Sequence, residues 1–501
     1  MSALLERARR LPPAVRWIAA VAVLDAFAWG ILVPPFHVPD ENAHVAYVQY
    51  VAETGKLPRG SASGREYSPE INGTLGALSF YDVVGRPENS APGTAAQSRR
   101  LEALRDRDLA RTGSGDVSSA TNNPPLYYAV QAAVYRASPS DDLLTRVALM
   151  RILSALLAGA TSLLGALFVR ELLPGATWAW AAGGLAIALH PLLGFLGGGV
   201  SVDNLLLCAS AALFLGLARM FRRGVTPRRA AFVGLAFAVG ILAKATMIAF
   251  APAVAFAFLA AIATAGAAGR RDATRAVAVG AAVAALPIVL FVVLSGAVWD
   301  RPIWGAGAAP PPAPGDPRPD VAVAAHAGSL RELLSYAWQL YLPKLGVFTQ
   351  LHSIAHPPVD LWLRDFVGSF GWLDYGFPSW VYRVANWVAP LVAALAGATL
   401  VRERGRLRGR SLELATYLLA TAGLAAVIAV AGYGYWLDTD GRRFEQARYL
   451  LPLLPLYGAI VALAVRAAGR RAGPALAAAA VVVLLGWSLY AQALTVVRYY
   501  G

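Results

Sequence analysis

Long apolar runs separated by short polar connections dominate the chain. A run of about 20 residues is the length that an α-helix needs to cross the hydrocarbon core of a bilayer, and these runs lack the two-faced periodicity typical of soluble helices. The pattern predicts an all-α polytopic membrane protein with about 11 transmembrane helices, at 14–33, 149–169, 177–194, 204–221, 230–247, 249–266, 276–297, 379–400, 412–432, 449–466 and 474–495.

Two long polar segments divide this series of apolar runs. The second of them contains a proline-rich stretch, GAGAAPPPAPGDPRPD (305–320), which predicts no packed structure. It also contains the aromatic segment LSYAWQLYLPKLGVF (334–348), which is expected to lie along the membrane interface. We expect a cytoplasmic N-terminus with the first span, a first extracytoplasmic loop, spans two to seven, a second extracytoplasmic loop, and spans eight to eleven with an extracytoplasmic C-terminus, at 1–33, 34–148, 149–297, 298–378 and 379–501.

Charge placement sets the orientation of the chain in the membrane. Of the 44 lysine and arginine residues, 21 fall in alternate connections that carry only four acidic residues, while the other connections are close to neutral. Cytoplasmic loops show this positive excess, so the N-terminus is predicted to be cytoplasmic. The net charge of +14 therefore requires no nucleic-acid partner. The single cysteine, Cys208, excludes an intramolecular disulfide.

Apart from Asp25, which lies mid-span and is expected to hydrogen-bond a neighbouring helix, the ionisable residues in or near the spans fall on the predicted extracytoplasmic side. Ionisable groups in lipid are costly, and they usually face the interior of a helix bundle or a wet cavity. Their common depth predicts one functional cluster, formed from Asp40, Glu41, His44, Arg146, Arg151, His190, Asp203, Lys244 and Arg448.

Several of these residues also have structural explanations. Asp40 and Glu41 suit the first turn of a helix that begins after Pro39. Together with His44 they have the spacing of a metal-binding pair, so a divalent metal is an alternative. The arginines could anchor spans to headgroups, and His190, which precedes Pro191, could simply end a helix. We expect the helix after Pro39 to hold the two carboxylates over a cavity, while Val45, Tyr47, Val48 and Tyr50 rest on the membrane surface.

One reaction uses a carboxylate and several cations beside a membrane cavity. The carboxylate acts as general base on an acceptor hydroxyl, and the cations stabilise a phosphate leaving group. If that phosphate belongs to a polyprenyl lipid, the reaction is inverting glycosyl transfer, which needs one base only.

Short motifs carry a resemblance along nearly the whole chain. In order they are VPDENAH (38–44), NNPPLYYA (122–129), LLTRVALMRILSALL (143–157), SVDN (201–204), GILAKATM (240–247), VGSFGWLDYGFP (367–378) and EQARYLLPLLPLYG (445–458). The ordered set resembles the GT-C class of integral-membrane glycosyltransferases. It looks closest to a bacterial branch of membrane proteins of unknown function, and more distantly like the aminoarabinose and protein O-mannosyl transferases.

The resemblance implies roles for individual residues. In the GT-C class an acidic residue of the first outer loop is the catalytic base, which corresponds here to Asp40 or Glu41. Basic residues bind the donor phosphate, with Lys244, Arg448, Arg151 and Arg146 as candidates. The substrate cavity is expected to be lined by His44, Asp203, Asn123, Tyr127 and His190.

The leading hypothesis is therefore a glycosyltransferase of the plasma membrane, in a bacterium, with its active site facing outside. Its partners would be membrane lipid, a polyprenyl-phosphate-linked sugar, and a glycan, lipid or protein acceptor. A transporter or flippase of lipid-linked saccharides is one alternative, although alternating-access sites lie near the midplane of the membrane. A non-catalytic scaffold of envelope synthesis is the other.

Overall fold

The computed structural model describes residues 11–58, 67–91, 93–113, 118–298, 328–352, 356–438 and 445–501. The predictions for residues 1–10 and for the proline-rich stretch 305–320 lie outside these residues. The first half of the chain forms helices α1 to α10, at Pro13–Leu32, Glu41–Thr54, Pro69–Ala77, Phe80–Val83, Ala95–Arg105, Leu126–Arg136, Leu143–Leu172, Thr177–Ala188, Pro191–Gly197 and Asp203–Arg223, with a 3-10 turn at Ser118–Asn122.

The second half continues with ten more helices and one small sheet. Helices α11 to α20 are at Pro227–Ala243, Ala251–Ala263, Arg270–Ala297, Leu330–Tyr341, Arg364–Gly368, Ser379–Arg402, Arg404–Arg408, Ser411–Asp438, Leu454–Arg466 and Gly469–Tyr500. Strands β1 (Ser369–Phe370) and β2 (Tyr375–Gly376) pair antiparallel. Two 3-10 segments and a π-helical turn complete the list, at Ala245–Phe250, Ala447–Leu453 and Pro358–Leu363.

The predicted spans are present as helices. Among the described residues, nine helical segments are long and apolar enough to cross a membrane, and the pair α8 and α9, bent by 50°, raises the number to ten. The remaining predicted run, 230–247, corresponds to α11, whose 17 residues reach the short end of the range of about 17 to 25 that spans a bilayer. The prediction of an all-α polytopic membrane protein is confirmed.

Buried side chains form two main cores. The larger lies between the spans, where α1 packs on α7 and α11 packs along both α10 and α13. The smaller lies in the segment between α1 and α7, around the buried rings of Tyr47, Tyr127, Tyr128 and Tyr135. Helix α2 contributes to this second core.

Helix α2 is buried on nearly all sides. Val45, Tyr47 and Val48 are each 0% exposed, so the expectation that they rest on the membrane surface is wrong. Its polar residues Asn42, His44 and Gln49 are buried as well, so the helix lies in a core, where its polar side chains need protein partners. This burial fixes the start of α2, where Asp40 lies.

Charged residues gather at both ends of the bundle. At one end, Arg222 pairs with Glu413 at 2.8 Å, and Arg466 pairs with Glu403 at 2.5 Å. At the other end, the start of α2, the start of α10, the end of α11 and the 3-10 segment Ala447–Leu453 converge. This second end carries the candidate site.

Candidate active site

The carboxylate of Asp40 lies at the start of α2, in a segment with unusual backbone geometry. Phe36 (φ 71°) and Asp40 (φ 61°) both adopt the left-handed conformation, which costs roughly 1–2 kcal/mol for a residue with a side chain. Asp40 precedes α2 and Glu41 lies in its first turn, as expected, but the Asp40 side chain makes no capping hydrogen bond to the helix. Instead Oδ2 accepts a hydrogen bond from Nη2 of Arg448 at 2.8 Å, and 31% of the side chain remains exposed.

A second ion pair stands beside the first. Nζ of Lys244 donates to Oδ1 of Asp203 at 2.5 Å. The ring of Tyr449 joins the two pairs, because the Lys244 ammonium and the Arg448 guanidinium each lie 5.6 Å from its centroid. Lys244 follows α11 in extended conformation, and Asp203 begins α10. We call Asp40, Arg448, Lys244 and Asp203 the four-residue cluster.

The cations of this cluster keep Asp40 ionised. Burial by itself would raise the pKa of the Asp40 carboxyl, but Arg448 and Lys244 hold it below its ordinary value. Arg448 keeps an unused donor, because its buried Nε has no hydrogen-bond partner in the part of the chain that the structure describes. An ionised carboxylate and a guanidinium with a spare N–H therefore share one accessible site.

His44 lies on the protein side of the cluster. Burial lowers its pKa to about 4, against the opposing effect of Asp40 and Asp203, so the imidazole is neutral at neutral pH. Nδ1 lies 2.9 Å from the hydroxyl of Tyr128, which also accepts from Nδ2 of Asn123 at 3.1 Å. This arrangement favours a Tyr128 O–H that donates to Nδ1, which leaves the imidazole proton on Nε2.

Glu41 and Arg151 form a separate, fully engaged pair. The Glu41 side chain is 0% exposed and takes two hydrogen bonds from Arg151, at 2.8 and 2.6 Å. Its Oε1 also accepts from the backbone N–H of Val200 at 2.9 Å. Arg151 donates its remaining N–H groups to the carbonyls of Gly30, Val33 and Pro34. This pair joins α7 to the end of α1 and the start of α2, and its geometry fits a framework rather than the predicted base and phosphate ligand.

Arg146 belongs to another cluster. Its guanidinium pairs with Asp141 at 2.5 Å and with Glu53 at 3.5 Å, and it covers the ring of Tyr135 at 4.2 Å. Those partners belong to the first loop and not to the four-residue cluster. The predicted role of Arg146 as a donor-phosphate ligand therefore has no support in the geometry, because the residue shares the depth of the cluster but not its position around the bundle.

Two predicted cavity residues are enclosed in the core. The Tyr127 hydroxyl accepts from Nε2 of Gln131 at 3.0 Å, and its side chain is 1% exposed. His190 caps α9, where its Nδ1 accepts from Leu192 N at 3.3 Å. Its ring lies among aromatic side chains, with the Phe366 centroid at 4.4 Å. This geometry fits the explanation that His190 ends a helix. The other three predicted cavity residues, His44, Asp203 and Asn123, lie in or next to the four-residue cluster.

A narrow crevice opens beside Arg448. The sequence did not predict two of its polar residues, Gln446 and Asp365. The volume of the crevice is only about 20 Å³, and Pro39, Phe195 and Leu196 form its apolar wall. Gln446 and Asp365 also line it, and the buried Oε1 of Gln446 has no hydrogen-bond partner among the described residues. Gln446 lies two positions before Arg448 in the motif EQARY. That proximity was the feature of the sequence that could have indicated it as a site residue.

The predicted metal-binding spacing does not bring its three residues together. Asp40 turns to Arg448, Glu41 to Arg151 and His44 to Tyr128. Across the described ranges, no group of three or more His, Cys, Asp and Glu side chains is placed to hold a metal ion.

The fold and this site define a multi-pass α-helical membrane protein with an accessible ion-pair cluster at one end of its bundle. The chain belongs to the family described as "Predicted membrane protein (DUF2142)", whose match covers residues 25–457. This confirms the predicted relationship to a branch of membrane proteins of unknown function.

Two solved structures follow a similar chain path. One is ArnT from Cupriavidus metallidurans in the apo state, 12% identical, with a TM-score of 0.42 over 90% of this chain and 59% of that one. The other is the Archaeoglobus fulgidus oligosaccharyltransferase in the apo form, 13% identical, with a TM-score of 0.42 over 96% of this chain and 56% of that one. The chain thus spans less than two thirds of either protein. No curated protein matches it.

Proposed function

We propose that the protein is an inverting glycosyltransferase of the bacterial plasma membrane, which moves a sugar from a polyprenyl-phosphate donor to a cell-envelope acceptor on the extracytoplasmic side. One observation carries the proposal. A single accessible carboxylate, Asp40, is held by Arg448 beside a second cation, Lys244, at one end of a membrane bundle. In this proposal Asp40 is the base, and the two cations form the site for the phosphate leaving group.

The residues divide the reaction between them. Asp40 accepts the proton of the acceptor hydroxyl as the acceptor oxygen forms its bond to the anomeric carbon. The bond from that carbon to the donor phosphate breaks on the opposite face, and the electron pair stays on the phosphate oxygen. Arg448 and Lys244 stabilise this developing charge, for which a guanidinium offers two parallel N–H donors.

Donor binding would also activate the base. The ion pair with Arg448 lowers the pKa of Asp40, which makes the carboxylate a weak base. A lipid phosphate competes for the same guanidinium and for the ammonium of Lys244. Once these cations turn to the phosphate, the pKa of Asp40 rises and the carboxylate becomes a stronger base. The acceptor is then deprotonated only when a donor is present.

The position of the polar groups favours a transferase over a transporter. Transporters bind substrate near the midplane, and near that depth lies Asp25, in the middle of α1. Its Oδ1 is held by Ser488 at 2.6 Å and by Gln492 at 2.9 Å, which joins α1 to α20. The four-residue cluster lies instead at one end of the bundle.

The first experiment measures donor-lipid binding. Thermal unfolding of the purified protein is followed with and without polyprenyl phosphate, for wild type, Lys244→Ala and Lys56→Ala. We expect the lipid to stabilise wild type and Lys56→Ala, whose lysine is exposed in the first loop, and to have little effect on Lys244→Ala. Equal stabilisation of all three proteins would contradict a phosphate site at Lys244.

The second experiment measures transfer from candidate polyprenyl-phosphate sugars. We expect Asp40→Asn to abolish transfer while it keeps the unfolding temperature within a few degrees of wild type, because the side chain is partly exposed and makes one ion pair. Asp106→Asn, an exposed carboxylate of the same loop, serves as the control. Full activity of Asp40→Asn would refute the proposed base, and chelation of divalent cations in the same assay tests a metal requirement.

A further inference from the structure

Several arginines meet at the end of the bundle opposite the candidate site, where α7 and α10 end and α11 begins. Nη1 of Arg222 donates to the carbonyl of Glu171 at 2.8 Å, so the ends of α7 and α10 lie side by side. Nη1 of Arg229, in the first turn of α11, donates to the carbonyl of Gly224 at 2.8 Å. The three helix ends therefore form one continuous surface.

One carboxylate on this surface is shared by two arginines. Nε of Arg223 donates to Oε1 of Glu171 at 2.8 Å, and Nε of Arg219 lies 3.8 Å from Oε2 of the same side chain. The positive charges of Arg170, Arg223 and Arg229 all act on Arg219, so four guanidinium groups surround one carboxylate. We call Arg170, Arg219, Arg223, Arg229 and Glu171 the Glu171 cluster.

The Glu171 cluster has an uncompensated positive charge. Among the described residues, Arg170 and Arg229 have no carboxylate within ion-pair distance, and Arg170 is exposed and makes no hydrogen bond. The buried Nε of Arg219 has no hydrogen-bond partner in the same part of the chain. The nearby Glu413 does not relieve the excess, because Arg222 pairs with it at 2.8 Å. Cations this close repel one another unless an anion lies between them.

These charges lie at the level of the lipid headgroups. Arg170, Arg223 and Arg229 each lie within two residues of the end of a predicted apolar run, and such runs fill the hydrocarbon core. Arg219 is one turn deeper, from where a long side chain reaches the interface. The preference of cytoplasmic loops for basic residues explains an excess of arginine here, but it does not explain why four arginines from three helices gather around one carboxylate.

An apolar stripe leads from the cluster into the bilayer. Arg228, next to Arg229, is exposed, and Phe232, Leu235 and Val239 follow it on the same face of α11. None of these three apolar residues is buried, and Leu235 is 51% exposed. The other side of α11 packs on α10 and α13. The stripe therefore faces acyl chains directly below the arginines.

We propose that the Glu171 cluster binds the phosphate headgroup of an anionic phospholipid, whose acyl chains lie along the apolar stripe of α11. A guanidinium suits this ligand because it offers phosphate two parallel N–H donors, and basic pockets between the ends of spans bind anionic headgroups. The depth of the charges and the stripe below them favour a lipid over a free phosphate. The site lies at the opposite end of the bundle from the four-residue cluster and does not depend on a transferase activity.

The test compares lipid binding to the full-length protein in detergent. Native mass spectrometry counts bound phosphatidylglycerol and phosphatidylcholine for wild type, Arg170→Gln, Arg170→Lys and Arg471→Gln. One cation near an anionic headgroup contributes about 1 kcal/mol, so we expect Arg170→Gln to weaken phosphatidylglycerol binding about fivefold. Arg170→Lys should bind nearly as wild type does. Arg471→Gln is the control, because Arg471 is exposed at the same end of the bundle on α20, which packs mainly on α8 and α19.

Four outcomes would overturn the proposal. Unchanged binding by Arg170→Gln would remove the arginine from the site, and an equal loss in Arg471→Gln would show an effect of net charge alone. Equal binding of the two lipids by wild type would show that the headgroup charge is not recognised. Displacement of phosphatidylglycerol by inorganic phosphate at comparable concentration would indicate a free-phosphate site. Asp40→Asn should bind phosphatidylglycerol normally, so that failure of the lipid site and failure of the proposed reaction are distinguished.

Discussion

Neighbouring residues of the candidate site have opposite environments. Asp40 and Glu41 are adjacent acids that the sequence could not separate, because both follow Pro39 at the same predicted depth. The left-handed backbone at Asp40 turns its side chain toward Arg448 and the crevice, whereas Glu41 turns into the protein toward Arg151. Such a change of direction depends on local backbone conformation that a single sequence does not reveal.

Histidine burial predicts how stability depends on pH. The pKa of His44 is lowered by burial to about 4, and that of His37 to about 3, whereas both titrate near 6.5 in the unfolded chain. Between these values the unfolded state binds more protons, so the free energy of unfolding decreases as the pH falls from 6.5. Each histidine contributes at most about 1.4 kcal/mol per pH unit.

We therefore expect the unfolding temperature to decrease between pH 7.5 and pH 5, and to decrease less in His44→Asn. The asparagine carbonyl can still accept from Tyr128 but does not titrate. Thermal unfolding over this pH range, with Lys56→Gln as a surface control, measures the difference. Parallel curves for wild type and His44→Asn would show that His44 is not buried in the neutral form.

At the scale of elements, the sequence predicted spans well and lateral positions poorly. Bilayer thickness fixes the length of an apolar run, so runs such as 149–169 and 412–432 correspond to α7 and α18. The boundaries of a span also give the depth of each residue in the membrane, and they predict Lys244 and Arg448 at the same depth. They do not show which neighbouring helix a residue faces. Arg146 and His190 therefore share that level but face other neighbours.

The buried pair of Glu41 and Arg151 holds elements rather than substrate, and this gives a prediction. Glu41→Gln leaves a buried arginine without its counter-charge, which costs about 3–5 kcal/mol. We expect it to lower the unfolding temperature far more than Asp40→Asn, and Glu41→Gln combined with Arg151→Met to recover part of the loss. Thermal unfolding of the three variants measures this order.

A catalytic role for Glu41 would give a different result. Glu41→Gln would then remain as stable as Asp40→Asn and lose only transfer. Stability and transfer measured on the same preparations separate the framework role from the chemical one.

At the scale of the whole molecule, the two ends of the bundle differ in chemistry. One end carries arginines paired with Glu171, Glu403 and Glu413, and Glu171 and Glu403 also belong to the predicted cytoplasmic connections. The other end carries the four-residue cluster. The arginine-rich connections therefore mark one end of the bundle, and the partly exposed Asp40 marks the other. A polyprenyl-phosphate donor would have to present its sugar at the Asp40 end.

Orientation is testable with single cysteines. Cys208 is replaced by serine. Lys56→Cys then places a cysteine at the Asp40 end and Arg228→Cys places one at the opposite end, and both positions are exposed. Because cytoplasmic loops carry the basic excess, we expect a membrane-impermeant maleimide added to intact cells to label Lys56→Cys, and to label Arg228→Cys only after permeabilisation. The reverse pattern would place Asp40 in the cytoplasm, where a cytoplasmic nucleotide sugar would replace the polyprenyl-phosphate donor as the substrate to test.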